Sequence, residues 1–333
     1  MKKLLAVALL LVAFSYSAAQ TDEVYIAIVR QAIAYAEKGD YDRALAEFDK
    51  AIQSAPQRIT AYGQRGVLYF KKGDFNRAIA DFDKAIQIDP QFAVAYYSRG
   101  SAYLSKGDYE RALADFDRAI ELDPQYAFAY NDRGNIYARK GDLDRAIADF
   151  DRVIKLNPQN AVAYYNRGNA YSNKGDYKRA LADYSEAIKL NPQDADAYIN
   201  RGGAYLGKGD YPRAIADSNK AIQLSPQEAG AYINRGIAYS NKGDYKRAIA
   251  DYSEAVKLNP QEASAYYNRG IAYHYRGDYK RALADYAEAI RLKPDYTLAY
   301  KSRAKAYEAI GDKAKARADN AQVLKLERQA RKP

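Results

Sequence analysis

The chain predicts an all-α fold, a linear array of helix-turn-helix units, on the evidence of two markers that keep one beat. Lys-Gly-Asp-Tyr, or a close variant, begins at Lys38, Lys72, Lys106, Lys140, Lys174, Lys208, Lys242 and Arg276, an unbroken interval of 34 residues. That interval is the period of a stacked helical hairpin. Proline keeps the same interval at Pro56, Pro90, Pro124, Pro158, Pro192, Pro226, Pro260 and Pro294, each 16 residues ahead of the residue that opens the next Gly-Asp corner. A fixed repeat makes 333 residues one array in which each unit contacts its neighbours, and leaves no separate catalytic domain to find.

The first nineteen residues stand apart. Lys2 and Lys3 precede an apolar run from Leu4 to Phe14 and then small or polar residues through Ala19, the order of a secretory signal peptide. An eleven-residue apolar run is short of the roughly 20 a membrane span needs. Cleavage after Ala19 is expected, with Gln20 first in a mature chain that is exported, to the periplasm or the extracellular space. No cysteine is present, so neither a lipid-attachment thiol nor a disulfide framework is available.

From residue 20 to 330 the array divides at about 25–58, 59–92, 93–126, 127–160, 161–194, 195–228, 229–262, 263–296 and 297–330. In the second repeat Tyr62, Gly66 and Tyr69 share one helical face, and Gly73 suits the left-handed position that ends that helix. Asp74 suits the N-cap of a second helix, in which Phe75, Ala78, Phe82, Ala85 and Ile86 follow the 3.6-residue period up to Pro90. Gly66 and Ala78 are small because two helix axes approach only where side chains are absent. A lone hairpin cannot bury both stripes, so stacking is obligatory. The last repeat replaces interior apolar positions by Lys313, Arg317 and Asn320 and reads as a polar cap.

These positions, in register through eight repeats and a degraded ninth, resemble the tetratricopeptide repeat (TPR) family over essentially the whole chain after the leader. The resemblance implies a right-handed superhelical solenoid whose first helices line a concave groove that holds a peptide of a partner protein. One column departs from the family's aliphatic residue: Arg65, Arg99, Arg133, Arg167, Arg201, Arg235, Arg269 and Arg303. Each of those repeats also has an aspartate, at Asp81, Asp115, Asp149, Asp183, Asp217, Asp251, Asp285 and Asp319. A ladder of partly buried ion pairs is expected, because a lone guanidinium near a core is costly and a bidentate carboxylate offsets that cost. The alternative is arginines snorkelling over tyrosine rings to water.

The resemblance also places a second stripe of the first helices on the groove wall. Its candidate ligand residues are Tyr97, Asn131, Asn135, Tyr165, Asn166, Asn169, Asn173, Ile199, Asn200, Ile233, Asn234, Asn241, Tyr267 and Asn268. An asparagine amide donates to and accepts from a peptide bond at once, so a row of them could hold an extended chain without reading its side chains. The alternative is that these amides solvate the groove or bond to neighbouring helices. Lys301 is the lone basic residue in the column where some relatives grip a carboxylate, so such a clamp is not expected.

Little suits catalysis: His274 is the single histidine, and no phosphate-binding loop, metal-ligand cluster or cofactor motif is present. No enzyme activity, cofactor or metal is expected. Formal net charge is +10, but residues 297–333 hold ten basic against four acidic residues and the body over 20–296 carries only +2. Nucleic acid, which needs a basic stripe along its binding face, is therefore not an expected partner. The reading is an exported, non-catalytic scaffold for a protein or extended peptide. The alternatives are an envelope polysaccharide-binding or secretion accessory protein, because tyrosine faces and asparagine amides also suit sugars, and a self-assembling structural element; the basic last repeat is a candidate contact for an anionic envelope surface or an acidic partner.

Overall fold

A computed structural model describes residues 23–330; the leader and its cleavage ahead of Gln20 lie outside the described residues. Within them the chain forms eighteen helices and no strand: α1 (Glu23–Glu37), α2 (Tyr41–Ser54), α3 (Ile59–Lys71), α4 (Phe75–Ile88), α5 (Ala93–Ser105), α6 (Tyr109–Leu122), α7 (Ala127–Arg139), α8 (Leu143–Leu156), α9 (Ala161–Asn173), α10 (Tyr177–Leu190), α11 (Ala195–Gly207), α12 (Tyr211–Leu224), α13 (Ala229–Asn241), α14 (Tyr245–Leu258), α15 (Ala263–Tyr275), α16 (Tyr279–Leu292), α17 (Thr297–Ala309) and α18 (Lys313–Ala330). Odd and even helices pair as hairpins, one per repeat. The described residues fall into two compact units that divide between Pro158 and Gln159, and within each the second helix of a hairpin packs on the first helix of the next.

The Gly-Asp corner builds each hairpin. Gly73 adopts φ +79°, a left-handed conformation that costs other residues a Cβ clash. Gly73 N–H donates to Phe70 O at 3.0 Å and Asp74 N–H to Tyr69 O at 2.9 Å, which satisfies the last carbonyls of α3. The Asp74 carboxylate then accepts from Arg77 N–H at 3.1 Å as N-cap of α4, while the Arg77 guanidinium pairs with the same carboxylate and lies 4.4 Å from the Tyr69 ring centroid. Those donors hold the Asp74 carboxyl below its ordinary range. The recurrent motif is thus a helix corner. At the other end Asp89, forced out of helical conformation by Pro90, closes α4 at φ −131°.

Inside six of the nine hairpins a glycine faces an aromatic ring; the first has Ala32 in the glycine's place, and the last has Ala304 with Asn320. A Cβ on Gly66 would sit 2.7 Å from Phe82, and one on Gly236 would sit 2.7 Å from Tyr252, so both positions exclude any side chain. The buried rings are Phe48, Phe82, Phe116 and Phe150 in the first unit and Tyr184, Tyr252 and Tyr286 in the second. Hairpin α11–α12 departs from the pattern. Ser218 stands where the ring should be, its hydroxyl buried without a partner, and a Cβ on Gly202 would meet nothing closer than 3.6 Å.

Candidate functional site: the first-helix face of the second unit

The arginine and aspartate columns meet. In each of eight hairpins the arginine donates through Nε and Nη2 to the two oxygens of its aspartate, from Arg65–Asp81 to Arg303–Asp319, at 2.6–2.9 Å. All eight aspartates are buried. Asp81 holds the Arg65 guanidinium above its ordinary pKa, and burial raises the Asp81 carboxyl. The free Nη1 reaches back to the preceding hairpin: Arg65 to Asp49, Arg99 to Asp83 at 2.6 Å and Arg133 to Asp117 at 2.6 Å. For Arg201, Arg235 and Arg269 in the second unit the corresponding acceptor is uncharged, Ser185 at 3.1 Å, Asn219 at 2.7 Å and Ser253 at 3.2 Å, and Arg303 has Ala287 at that position. The columns therefore tie hairpin to hairpin and belong to the scaffold. The first hairpin has no such pair; Gln31 and Glu47 bond within their own helices, to Tyr35 and Lys50.

The groove candidates divide between the units. Tyr97 is buried: Tyr126 and Phe128 of the following repeat cover it, with ring centroids at 5.0 and 6.3 Å, and its hydroxyl donates to Asp132 at 3.0 Å. Asn131 is buried as well and donates to Asp132 at 2.9 Å. Both are thus corrected from groove wall to interior, and Asn135 lies half-buried on α7.

In the second unit six candidates come together. Asn169, Asn173, Ile199, Asn200, Ile233 and Asn234, with Ser172, Tyr184, Gly203 and Gly230, line a cavity of about 480 Å³ on the first-helix face of α9, α11 and α13. Its amides are held in place. Asn200 Nδ2 donates to Tyr165 Oη at 2.8 Å and to Asn169 Oδ1 at 2.9 Å, and Tyr184 Oη donates to the same oxygen at 2.7 Å. Asn234 Nδ2 donates to the Ile199 carbonyl at 2.9 Å. The amides thus do bond to neighbouring helices, and doing so points the remaining groups, Asn169 Nδ2 and the Oδ1 atoms of Asn200 and Asn234, to other uses.

Tyr165 is half-buried against Tyr184, and burial raises its phenol pKa. Asn166, on α9, and Asn268, on α15, are half-buried, and Asn241 is exposed, bonded back to Ile237 of its own helix at 2.9 Å. Tyr267 packs on Tyr286 and Tyr296, with centroids at 6.1 and 5.0 Å. His274 sits 5.1 Å from Tyr279, its Nδ1 buried without a partner; burial first, and Lys305 second, lower its pKa. Among the described residues no cluster of His, Asp and Glu could hold a metal, and no helix is long and apolar enough to cross a membrane.

Sequence reasoning named the amides and isoleucines of this cavity but not Gly230 or Ser172. The signal was available. Gly203 and Gly230 stand where sister repeats carry Asn135, Asn169, Ile237 or Ile271, and Val162, Asp196, Ser264 or Leu298, and their missing side chains leave the space.

The repeat unit itself decides the family. A TPR repeat model matches residues 33–73, 66–107, 100–141, 134–175 and 204–243, and further tetratricopeptide repeat models match 161–194, 184–216, 233–297 and 270–331. The chain belongs to the tetratricopeptide repeat family. TPR arrays are protein-interaction scaffolds and typically non-catalytic. No curated protein matches this chain.

Among solved structures it is similar to the APC/C hetero-tetramer Cut9-Hcn1, at TM-score 0.60 and 20% identity, covering 81% of this chain and 54% of that one, so the TPR chain spans about half the length of that neighbour. A tetratricopeptide repeat protein from Parabacteroides merdae is similar at TM-score 0.55 and 21% identity over 75% of this chain and 99% of that one. The C-terminal part of a TPR repeat-containing protein from Cytophaga hutchinsonii is similar at TM-score 0.59 and 19% identity over 72% and 98%. At these identities the likeness speaks for the fold alone.

Proposed function

We propose that this TPR protein is an exported, non-catalytic scaffold that binds an extended peptide segment of a partner protein on the first-helix face of its second unit. The cavity between α9, α11 and α13 carries the reading. At about 480 Å³ it is within the range of small-ligand sites, and Ile199 and Ile233 offer an apolar grip for one side chain. The oriented amides of Asn169, Asn200 and Asn234 supply one donor and two acceptors, the complement of a peptide backbone. Export rests on the charged, apolar and small-residue order of the first nineteen residues, and intact mass of the exported protein should show a chain that begins at Gln20.

The binding test fills the cavity. Gly203→Ile introduces the residue that sister helices carry at Ile237 and Ile271, and nothing but Asn234 Nδ2, at 3.9 Å, lies near the new Cβ. Peptides selected from a random display library on the unaltered protein should bind this variant at least about tenfold more weakly, a loss of roughly 1.4 kcal/mol, with helix content unchanged. Undiminished binding of every selected peptide would refute the site.

A further inference from the structure

We infer that the hairpin-corner edge of the second unit is a docking surface for a linear polyanion, and that a carboxylated polysaccharide is the class it fits. The inference stands apart from the peptide cavity, whose lining includes none of the cations it rests on.

In the first unit each corner lysine from the second hairpin onward is answered across the stack by the preceding hairpin. Lys72 pairs with Asp42 at 2.6 Å and Lys140 with Glu110 at 2.5 Å, and Lys106 donates to Asn76. The second unit inverts that arrangement. The positions equivalent to Asp42, Asn76 and Glu110 hold Lys178, Pro212, Lys246 and Lys280, and they accompany Lys208, Lys242 and Arg276. All six of these cations are exposed. The aspartates nearby are already engaged as helix caps by their own arginines: Asp176 by Arg179 at 2.6 Å, Asp210 by Arg213 at 3.1 Å, Asp244 by Arg247 at 2.5 Å and Asp278 by Arg281. The corners are also adjacent. The Tyr177 ring closes over Gly207, and Tyr245 stacks on Tyr275 with centroids 5.2 Å apart and planes within 7°. Like charges brought together at neighbouring corners repel. The first unit shows that the same fold accommodates acids at these positions, so stacking the hairpins does not require the cations.

The chemistry of the row selects the partner. Lysine is depleted at the cores of protein interfaces, which argues against a folded protein or an acidic peptide. A membrane surface is met by the apolar face of a helix lying in its plane, whereas this edge presents turns. Nucleic acid needs an extended basic field, whereas residues 20–296 carry only +2, so the row is a local patch of spaced charges, five of its six cations being point-charge ammonium groups. What remains is a chain of spaced anions with ring faces between them, and Tyr275, 66% exposed, offers a ring face of its own.

The test titrates the full chain with sodium polygalacturonate at about 20 mM salt, where electrostatic association is strongest. Binding is expected, with steep loss as salt rises. Lys178→Glu and Lys246→Glu recreate the acid–cation arrangement of the first unit toward Lys208 and Arg276, and Lys280→Glu, which faces the Ile310 position, removes a third cation; together they should weaken binding at least about tenfold without lowering the melting temperature. Gly203→Ile should leave it unchanged. The inference is overturned if the unaltered protein does not bind, if the triple variant binds as well, or if single-stranded DNA, polyglutamate or phosphatidylglycerol vesicles bind more tightly than the polysaccharide.

Discussion

The two units fold the same hairpin with different degrees of closure. In the first unit the ring column is phenylalanine, the corner lysines meet partners across the stack, and the ladder arginines Arg65, Arg99 and Arg133 each hold two carboxylates. In the second unit tyrosine or serine replaces phenylalanine in the interior hairpins and Asn320 in the last, serine or asparagine replaces the second carboxylate of Arg201, Arg235 and Arg269, and lysine or proline replaces the corner acid. The backbone pattern survives all three changes. What every hairpin retains is the corner glycine and its capping aspartate, and interior hairpins from the second onward also retain the helix glycine and the ladder pair. The remaining columns are free to vary, and they vary toward polarity in the unit that contains the cavity.

The largest effect separates the two kinds of ladder rung. Arg133→Ala leaves buried Asp149 without its counter-charge and exposes Asp117 to it; Arg269→Ala leaves Asp285 alone. Removing one partner of a buried pair costs about 3–5 kcal/mol. The first variant should lose more than the second in urea unfolding, by no more than about 1 kcal/mol, because the second carboxylate is half exposed. Arg133→Ala combined with Asp149→Ala should cost clearly less than the sum of the single changes. Additive losses would mean that the arginines act through their contact with the tyrosine rings instead.

The next effect lies within the second unit. Ser218→Phe restores the ring that hairpins of the first unit possess, and burial of an aromatic side chain contributes on the order of 1.5–3 kcal/mol. Amide exchange in α11 and α12 should be the fastest among the interior hairpins, and the substitution should slow it. Uniform protection from α9 to α16 would show that the missing ring is compensated elsewhere.

Much of this was legible in the chain, for a physical reason. Corner glycines, prolines and the constant Arg–Asp separation are local or strictly periodic, and a 34-residue period repeats every contact they make. Exposure is not periodic. Tyr97 and Tyr165 occupy the same column, yet Tyr97 is buried because Tyr126 and Phe128 cover it, whereas the residues equivalent to those covers ahead of Tyr165 are Asp194 and Asp196. A column identifies the face on which a residue lies. Side chains 29 and 31 residues later decide whether it is covered, and the cavity opens where one of those is Gly230.

A third comparison sets one substitution against itself. Gly236→Ala places a methyl against the Tyr252 ring, an overlap that costs about 1–3 kcal/mol. Gly202→Ala meets ordinary contact distances and removes a helix glycine, so it should stabilise by up to about 1 kcal/mol. Opposite signs in the melting temperature would show that the ring, not the helix, demands glycine. Equal losses would mean that α11 and α12 close up over Ser218.

The smallest effect concerns the hydroxyls that the second unit adds to its ring column. Tyr286 is fully buried, its Oη has no partner, and burial raises its phenol pKa. A phenol raised in the folded state supports folding below its unfolded pKa of about 10 and loses that support as pH climbs past it, because only the unfolded chain ionises freely. Tyr286→Phe copies the first unit, frees the fold from an unsatisfied hydroxyl, and should be neutral or slightly stabilising at pH 7. Between pH 10 and pH 11 it should hold its melting temperature better than the unaltered protein. Tyr184→Phe makes the contrast, since Tyr184 Oη donates to Asn169 at 2.7 Å at the edge of the cavity. That change should cost about 1 kcal/mol at pH 7 and weaken peptide binding, which Tyr286→Phe should leave intact. Equal behaviour of the two variants in the binding assay would detach the ring column from the cavity, and would leave the hydroxyl of Tyr184 as packing alone.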